Sequence, residues 1–228
     1  MGSPQLTAAG VRAGSEVVVP SFGGSDIARA VRELGARPVF ADIDAETYCL
    51  APSSVAEVLT ARTAAVVPVH LFGRSADMTA LHEVVRDRSV PLVEWEPMVR
   101  ADALDAVRRR QYAAYLGRRL RGVVAPTIVE GGEHAVTRYV VRVPGNGRPD
   151  RDAFKQALRA RGVVCHVPVK TPAHWMPEFR VARRLPVSER AAEECLALPL
   201  SSAMSKRELH QVVSACNALG GLMRERAS

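Results

Sequence analysis

Apolar residues fall along the first 95 positions in four short, nearly unbroken runs, 17–19, 38–43, 64–71 and 90–95. Runs of that length rich in Val, Ile and Ala suit strands covered on both faces, the condition of a parallel sheet in an α/β layer. Between the runs, apolar positions recur three and four apart. Ile27, Ala30, Val31 and Leu34 mark a helix over 26–34, with Ser25 or Asp26 as its N-cap and Gly35 at its end. Leu81, Val84 and Val85 mark another over 79–87, and a short helix capped by Ser53 or Ser54 reaches Leu59. The alternation predicts a four-stranded parallel sheet with helices on its faces.

From residue 99 the pattern changes. Leu104, Val107, Tyr112, Tyr115, Leu116 and Leu120 lie on or near one stripe of a long helix over 101–121, which Gly122 ends. A turn at 130–133, a strand over 134–143 with Val136, Arg138, Val140 and Arg142 alternating, and the loop GNGRPD follow. Next come a helix over 152–161 closed by Gly162 and a short strand over 163–167. The segment HVPVKTPAHWMPEF holds too much proline for regular structure. A helix over 188–196, an extended LALPL and a terminal helix over 205–222 complete the chain. The expected division is an α/β domain over 1–98, then a linking helix with a small α+β domain over 99–228.

Composition narrows the function classes. Of 228 residues, 47% are hydrophobic and 24% charged, as in a globular chain. No apolar stretch approaches the roughly 20 residues of a membrane span. The N-terminus lacks a basic region followed by an apolar one, so a cytoplasmic protein without membrane contact is expected. The net charge of +7 is carried almost wholly by arginine. Its densest group, Arg108, Arg109 and Arg110 with Arg118, Arg119 and Arg121, falls on one predicted helix without a recognised nucleic-acid reading motif. A solvated helix face is therefore favoured over a basic nucleic-acid-binding module, which stays as an alternative. Cys49, Cys165, Cys195 and Cys216 form no C-x-x-C pair and read as buried thiols. Cys165, His166 and His174 match no standard metal spacing, so no metal site is expected.

Several blocks carry a resemblance. GSEVVVPSF, LGARPVFADID, TYCLAP, ARTAAVVPVHLFGRSADM and PLVEWEP resemble successive blocks of the large domain of the DegT/DnrJ/StrS sugar aminotransferases, which are fold-type I enzymes using pyridoxal phosphate (PLP). RRRQYAAYLGRRL, HAVTRYVVRV, HVPVKTPAHWMPEF and LALPLSSAMS resemble that family's small domain, and together the blocks span about residues 10 to 215. The resemblance implies a truncated fold-type I aminotransferase with strands in the spatial order three, four, one, two. Strand three would be left as an open edge for the long helix, the small domain or a second subunit to cover.

The family's site residues do not carry over. A Ser-Gly-Thr turn that holds the cofactor phosphate has no expected counterpart here. The family's ring-stacking aromatic, two places after the equivalent of Phe22, is Gly24. The family's Glu-Asp-Ala-Ala-Gln block reads Glu94-Trp95-Glu96-Pro97-Met98, so Trp95 replaces the Asp that pairs with the pyridinium nitrogen and Met98 replaces the Gln. After Met98 the chain passes straight to the linking helix, without the Ser-x-x-x-Lys type region that supplies the Schiff-base lysine. Only Lys155, Lys170 and Lys206 exist, all in the second half.

The expectation is a degenerate family member, a pseudoenzyme with no catalytic or cofactor-binding residue assigned and no cofactor expected, although the family cofactor is PLP. It would be a homodimer or pair with a full-length relative. It would keep a nucleotide-sugar pocket at the C-terminal ends of the strands, formed by Ser21, His70, Phe72, Glu94 and Trp95 and facing a loop with His166 and His174. For His70 a plain hydrogen-bonded role at the strand terminus competes with ligand contact. The alternative is an active PLP-dependent aminotransferase on a keto-sugar nucleotide in polysaccharide or antibiotic biosynthesis, with Lys170 as the substitute imine-forming residue.

Overall fold

The computed structural model describes residues 3–95, 103–127, 136–144 and 150–225. The chain forms two compact units, Met1–Met98 with Thr171–Ala192, and Val99–Lys170 with Glu193–Ser228. Residues 171–192, assigned above to the C-terminal domain, therefore fold with the first unit.

The first unit is built on β1 (Glu16–Pro20), all five residues of which are buried. It pairs in parallel with β2 (Arg37–Ala41) on one side and β3 (Thr63–Val66) on the other, giving the order β2-β1-β3. Side chains alternate across a strand, so β1 serves two cores. Val17 and Val19 join Leu6 of α1 (Ser3–Ala8) and Ile27, Ala28 and Val31 of α2 (Ser25–Glu33). Val18 joins Val55 of α3 (Pro52–Val58) and Leu81 and Val85 of α4 (Met78–Arg86) on the other face. Burial of one such valine contributes about 1.5–3 kcal/mol, which makes β1 the structural centre of the unit.

The expected fourth strand does not form. Residues 90–95 make only isolated parallel bridges, Val66↔Leu92 and Val69↔Trp95. Pro68 and Pro91 have no N–H to give, and a proline in a ladder interrupts it. Val93 N–H still reaches the Val66 carbonyl, and Trp95 N–H the Pro68 carbonyl. The segment lies beyond β3, so the order three, four, one, two is also corrected, and the end of β3 is bridged at Val66 rather than left open.

Helix starts differ from the local reading as well. The N-cap of α2 is Gly24, without a side-chain cap, rather than Ser25 or Asp26. The N-cap of α3 is Ala51, with Pro52 opening the helix as its fixed φ allows. Ser54 instead accepts from the Asp42 N–H at 2.8 Å. α4 begins with a side-chain cap, Asp77 accepting from the Ala80 N–H at 3.0 Å.

In the second unit α5 (Ala103–Arg119), α6 (Asp150–Ala160) and α8 (Lys206–Glu225) enclose an antiparallel pair, β4 (Tyr139–Arg142) with β5 (Cys195–Leu198). α7 (Pro186–Glu194), which belongs to the first unit as far as Ala192, runs directly into β5, two residues short of the expected 196. Leu116, Tyr139, Leu158, Leu196 and Cys216 lie in its core. Three expectations fail here. Leu104 and Val107 are 77% and 43% exposed, and the buried stripe of α5 is Ala113, Leu116 and onward to Leu120. Residues 163–167 form no strand, only the bridge His166↔Ala197. β4 does not alternate, since Tyr139, Val140 and Val141 are all buried. The turn at 130–133, residues 145–149 of GNGRPD, and Glu96, Pro97 and Met98 lie outside the described residues.

The basic helix uses its arginines locally. Arg119 lies over the Tyr115 ring at 4.0 Å, and Arg109 donates to the Thr137 carbonyl. All four cysteines are free and buried. Burial pushes the Cys165 thiol up to about 11 and that of Cys216 to about 12, so both stay protonated and unreactive. Among the described residues no group of three metal-binding side chains forms, and no helix is long and apolar enough to cross a membrane.

Candidate functional site

Ser21 and Asp42 follow β1 and β2, and His70 and Trp95 lie at the isolated bridge Val69↔Trp95 beyond β3, all at the end of an α/β sheet where ligands are normally received. Residues 171–192 are tied across part of this end. The Ala173 N–H donates to the Ser21 carbonyl at 2.8 Å, and the Ser21 hydroxyl is 2.6 Å from His174 Nδ1. The His174 N–H also donates to that hydroxyl, at 3.3 Å. Ser21 and His174 are thus brought together as expected of neighbours, but they are 1% and 0% exposed. Burial and mutual bonding make them an anchor, which removes both from the ligand-contacting set.

Asp42 is a second anchor, and nothing in the local sequence marks it. Its Oδ1 accepts from the Ser188 N–H at 2.8 Å and the Ser188 hydroxyl at 2.6 Å, and its Oδ2 from the Val187 N–H at 2.9 Å. These amides belong to the first turn of α7, where N–H groups lack helical partners, so Asp42 caps that helix through space. Outer ion pairs, Arg29 with Glu178 and Arg183 with Glu57, hold the same segment.

His70 and Glu94 form a dyad at the strand ends, with Nε2 3.1 Å from Oε2. His70 Nδ1 accepts from the Ala76 N–H at 3.0 Å, which leaves the ring proton on Nε2 for Glu94. With both ring nitrogens engaged, His70 has no free lone pair to act as a general base. Phe72 packs edge-on against Phe22 and Tyr48, with ring centroids 6.3 and 5.7 Å away. Phe72 and Tyr48 both have left-handed backbones, at φ 60° and 62°, a strained choice for an aromatic residue. Trp95 is half-buried and Glu94 is 52% exposed at its side chain, so these two with His70 are the open groups of the expected set. His166 is exposed and belongs to the second unit.

The electrostatics of the anchor predict an acid response. Burial pushes the His174 ring below its ordinary value, although Glu189 and Asp42 oppose the shift. Glu189 Oε1 is 3.4 Å from Nε2 but out of hydrogen-bond geometry, and no other described atom serves that nitrogen. For Glu189, burial alone would raise the carboxyl, but the Leu185 N–H, Arg184 and His174 hold it low. Glu16 is likewise held low, its burial outweighed by Thr60, Arg37 and Arg62. For a histidine with a depressed folded value, the unfolded chain takes the proton first, so stability present above the ordinary 6.5 is lost as pH falls below it. The two glutamates add stability present above 4.5 and lost as pH falls through their folded values. Urea unfolding against pH should therefore show a first decline below about pH 6.5 that His174→Gln flattens. An unchanged decline in that variant would remove His174 as its source.

A sequence profile of the DegT/DnrJ/EryC1/StrS aminotransferase family matches residues 4–98 and again 96–217. A pleiotropic regulatory protein of Geobacillus stearothermophilus is 24% identical over 299 aligned positions, covering 91% of this chain and 79% of its own. Since 91% of 228 residues is about 207, roughly 90 of those positions have no residue of this chain. An L-glutamine:2-deoxy-scyllo-inosose aminotransferase of Streptomyces lividus is 31% identical over 228 positions, covering 96% of this chain but only 50% of its own. Among solved structures, the aminotransferase TlmJ from Streptoalloteichus hindustanus matches with a TM-score of 0.86 at 25% identity, covering 96% of this chain and 83% of that one.

The matched family is PLP-dependent, and this chain differs at the positions that the resemblance assigns to that cofactor. At Gly24 a Cβ would stand 2.1 Å from the Pro20 carbonyl oxygen, so no aromatic ring can be mounted there. Trp95 ends its strand segment with an indole, which cannot keep a pyridine nitrogen protonated. The neighbouring carboxylate, Glu94, is bonded to His70. No lysine occurs anywhere in 1–98 or 171–192.

Proposed function

The chain belongs to the DegT/DnrJ/EryC1/StrS aminotransferase family, and from its strand-end residues we propose that it is a shortened member that does not transaminate. The observation that carries this reading is the distribution of lysine. Transamination needs an amine that forms and releases an imine, and the chain's lysines are Lys155, Lys170 and Lys206, all outside the first unit. Lys170 and Lys206 are exposed, which leaves their ammonium groups solvated. One relative bears a regulatory rather than an enzymatic name, which suits a family scaffold used without chemistry. The retained role is binding: a nucleotide sugar at His70, Glu94 and Trp95, in a homodimer or a heterodimer with a full-length relative.

The test is spectroscopic. Purified protein mixed with PLP is expected to show no absorption beyond that of free cofactor, and borohydride should trap no specific adduct. A stoichiometric band abolished by Lys170→Ala would overturn the reading and restore an active aminotransferase on a keto-sugar nucleotide. On the same preparation, light scattering that finds a stable monomer removes the dimer. Unchanged Trp95 fluorescence under nucleoside-diphosphate sugars removes the retained ligand.

A further inference from the structure

The first unit holds a pocket of about 440 Å3 bounded by the C-terminal turn of α2, the start of β2 and residues 177–181. It opens near the N-terminal ends of the strands, away from Ser21, His70 and Trp95, and uses none of the residues on which the function above rests. Its volume lies in the lower part of the roughly 300–1,000 Å3 range of small-molecule sites.

Its chemistry is basic and partly aromatic. Arg32, Arg37 and Arg180 line it with Phe40, Phe179 and Glu178. The one acid in that set is paired from outside, since Arg29 donates to Glu178 Oε1 through Nε at 3.0 Å and Nη2 at 2.8 Å, while its Nη1 donates to the exposed Asp26. Arg37 shares the buried carboxylate of Glu16 with Arg62, which leaves two guanidinium groups against one charge. Arg32 donates to the Glu178 carbonyl at 2.7 Å and lies over the Phe179 ring, 5.5 Å from its centroid. A carbonyl and a ring hold that guanidinium in place without cancelling its charge. Arg180 is exposed and makes no hydrogen bond or ion pair with another described residue.

We propose that this pocket binds a phosphate-bearing ligand of mononucleotide size. The phosphate meets Arg37 and Arg180, whose forked donors suit its oxygens, and a planar ring stacks on the guanidinium of Arg32. The restrained Arg32 is oriented before the ligand arrives, so little side-chain freedom is lost on binding.

Calorimetric titration of the full chain at low salt with adenosine 5′-monophosphate, adenosine and inorganic phosphate tests this. The mononucleotide is expected to bind saturably at one site, at least about tenfold more tightly than either fragment. Arg180→Ala, at an exposed and unpaired residue, should keep the urea midpoint and weaken mononucleotide binding about tenfold, the loss of one charge-assisted contact. Arg32→Ala should weaken it similarly, and Trp95→Ala should leave it unchanged. No saturable binding by about 10 mM overturns the proposal, as does affinity unaltered by both arginine variants. Phosphate binding as tightly as the mononucleotide overturns the ring contact, and loss of binding in Trp95→Ala moves the ligand to the other end of the sheet.

Discussion

Gly24→Ala is expected to lower the unfolding free energy of the first unit by about 3 kcal/mol or more, well beyond the cost of under about 1 kcal/mol at an ordinary helix N-cap. The cause is a close approach rather than backbone conformation. Gly24 has φ −98°, open to any residue, but its Cβ would lie 2.1 Å from the Pro20 carbonyl oxygen. Main chain cannot rotate away as a side chain can, so the start of α2 must shift, and that start carries Ile27, Ala28 and Val31 into the core. Urea unfolding checks the result, with a lowered midpoint at unchanged slope expected. A loss below about 1 kcal/mol would mean that α2 accommodates a Cβ, and the family's aromatic could then be restored by one substitution.

Asp42→Ala is expected to cost about 3 kcal/mol, the scale of a buried network broken at one partner. Four donors converge on this carboxylate: the N–H groups of Ile43, Val187 and Ser188 and the Ser188 hydroxyl. Alanine leaves them without an acceptor and uncaps α7. Asp42→Asn should cost about half as much, because the amide keeps one oxygen but turns its NH2 toward another donor. Since Asp42 ties residues 171–192 to the sheet, Asp42→Ala should also speed tryptic cleavage at Arg180, Arg183 and Arg184 by at least tenfold. Wild-type cleavage rates in that variant would show that the outer ion pairs hold the segment without the cap.

Much of the architecture was legible because burial leaves a local trace. β1, covered on both faces, reads as Val17, Val18 and Val19 in succession, and α2 reads as Ile27 and Val31 one turn apart. The run over 90–95 has the same apolar trace but not the ladder, since Pro68 and Pro91 withhold donors and composition does not count them. Leu104 and Val107 show the converse, apolar residues at helical spacing that no core covers. At the candidate site the family blocks marked His70, Phe72, Glu94 and Trp95, and strand ends put His70 beside Glu94. Asp42 and Glu189 escaped notice because each acts on a segment distant in sequence or packed by folding, and an isolated carboxylate after a strand carries no sign of its partner.

The sequence by itself determined the α/β class, the family and the lack of an imine-forming lysine in the first 98 residues, since periodicity, block order and residue identity need no coordinates. Only the tertiary structure decided that residues 171–192 return to the first unit, that Ser21 and His174 close on each other, and that Gly24 has no room for a side chain. The physical reason is range. Backbone periodicity is set by neighbours three or four residues away, whereas these contacts join positions such as Ser21 and His174, 153 residues apart, which folding alone brings within 2.6 Å.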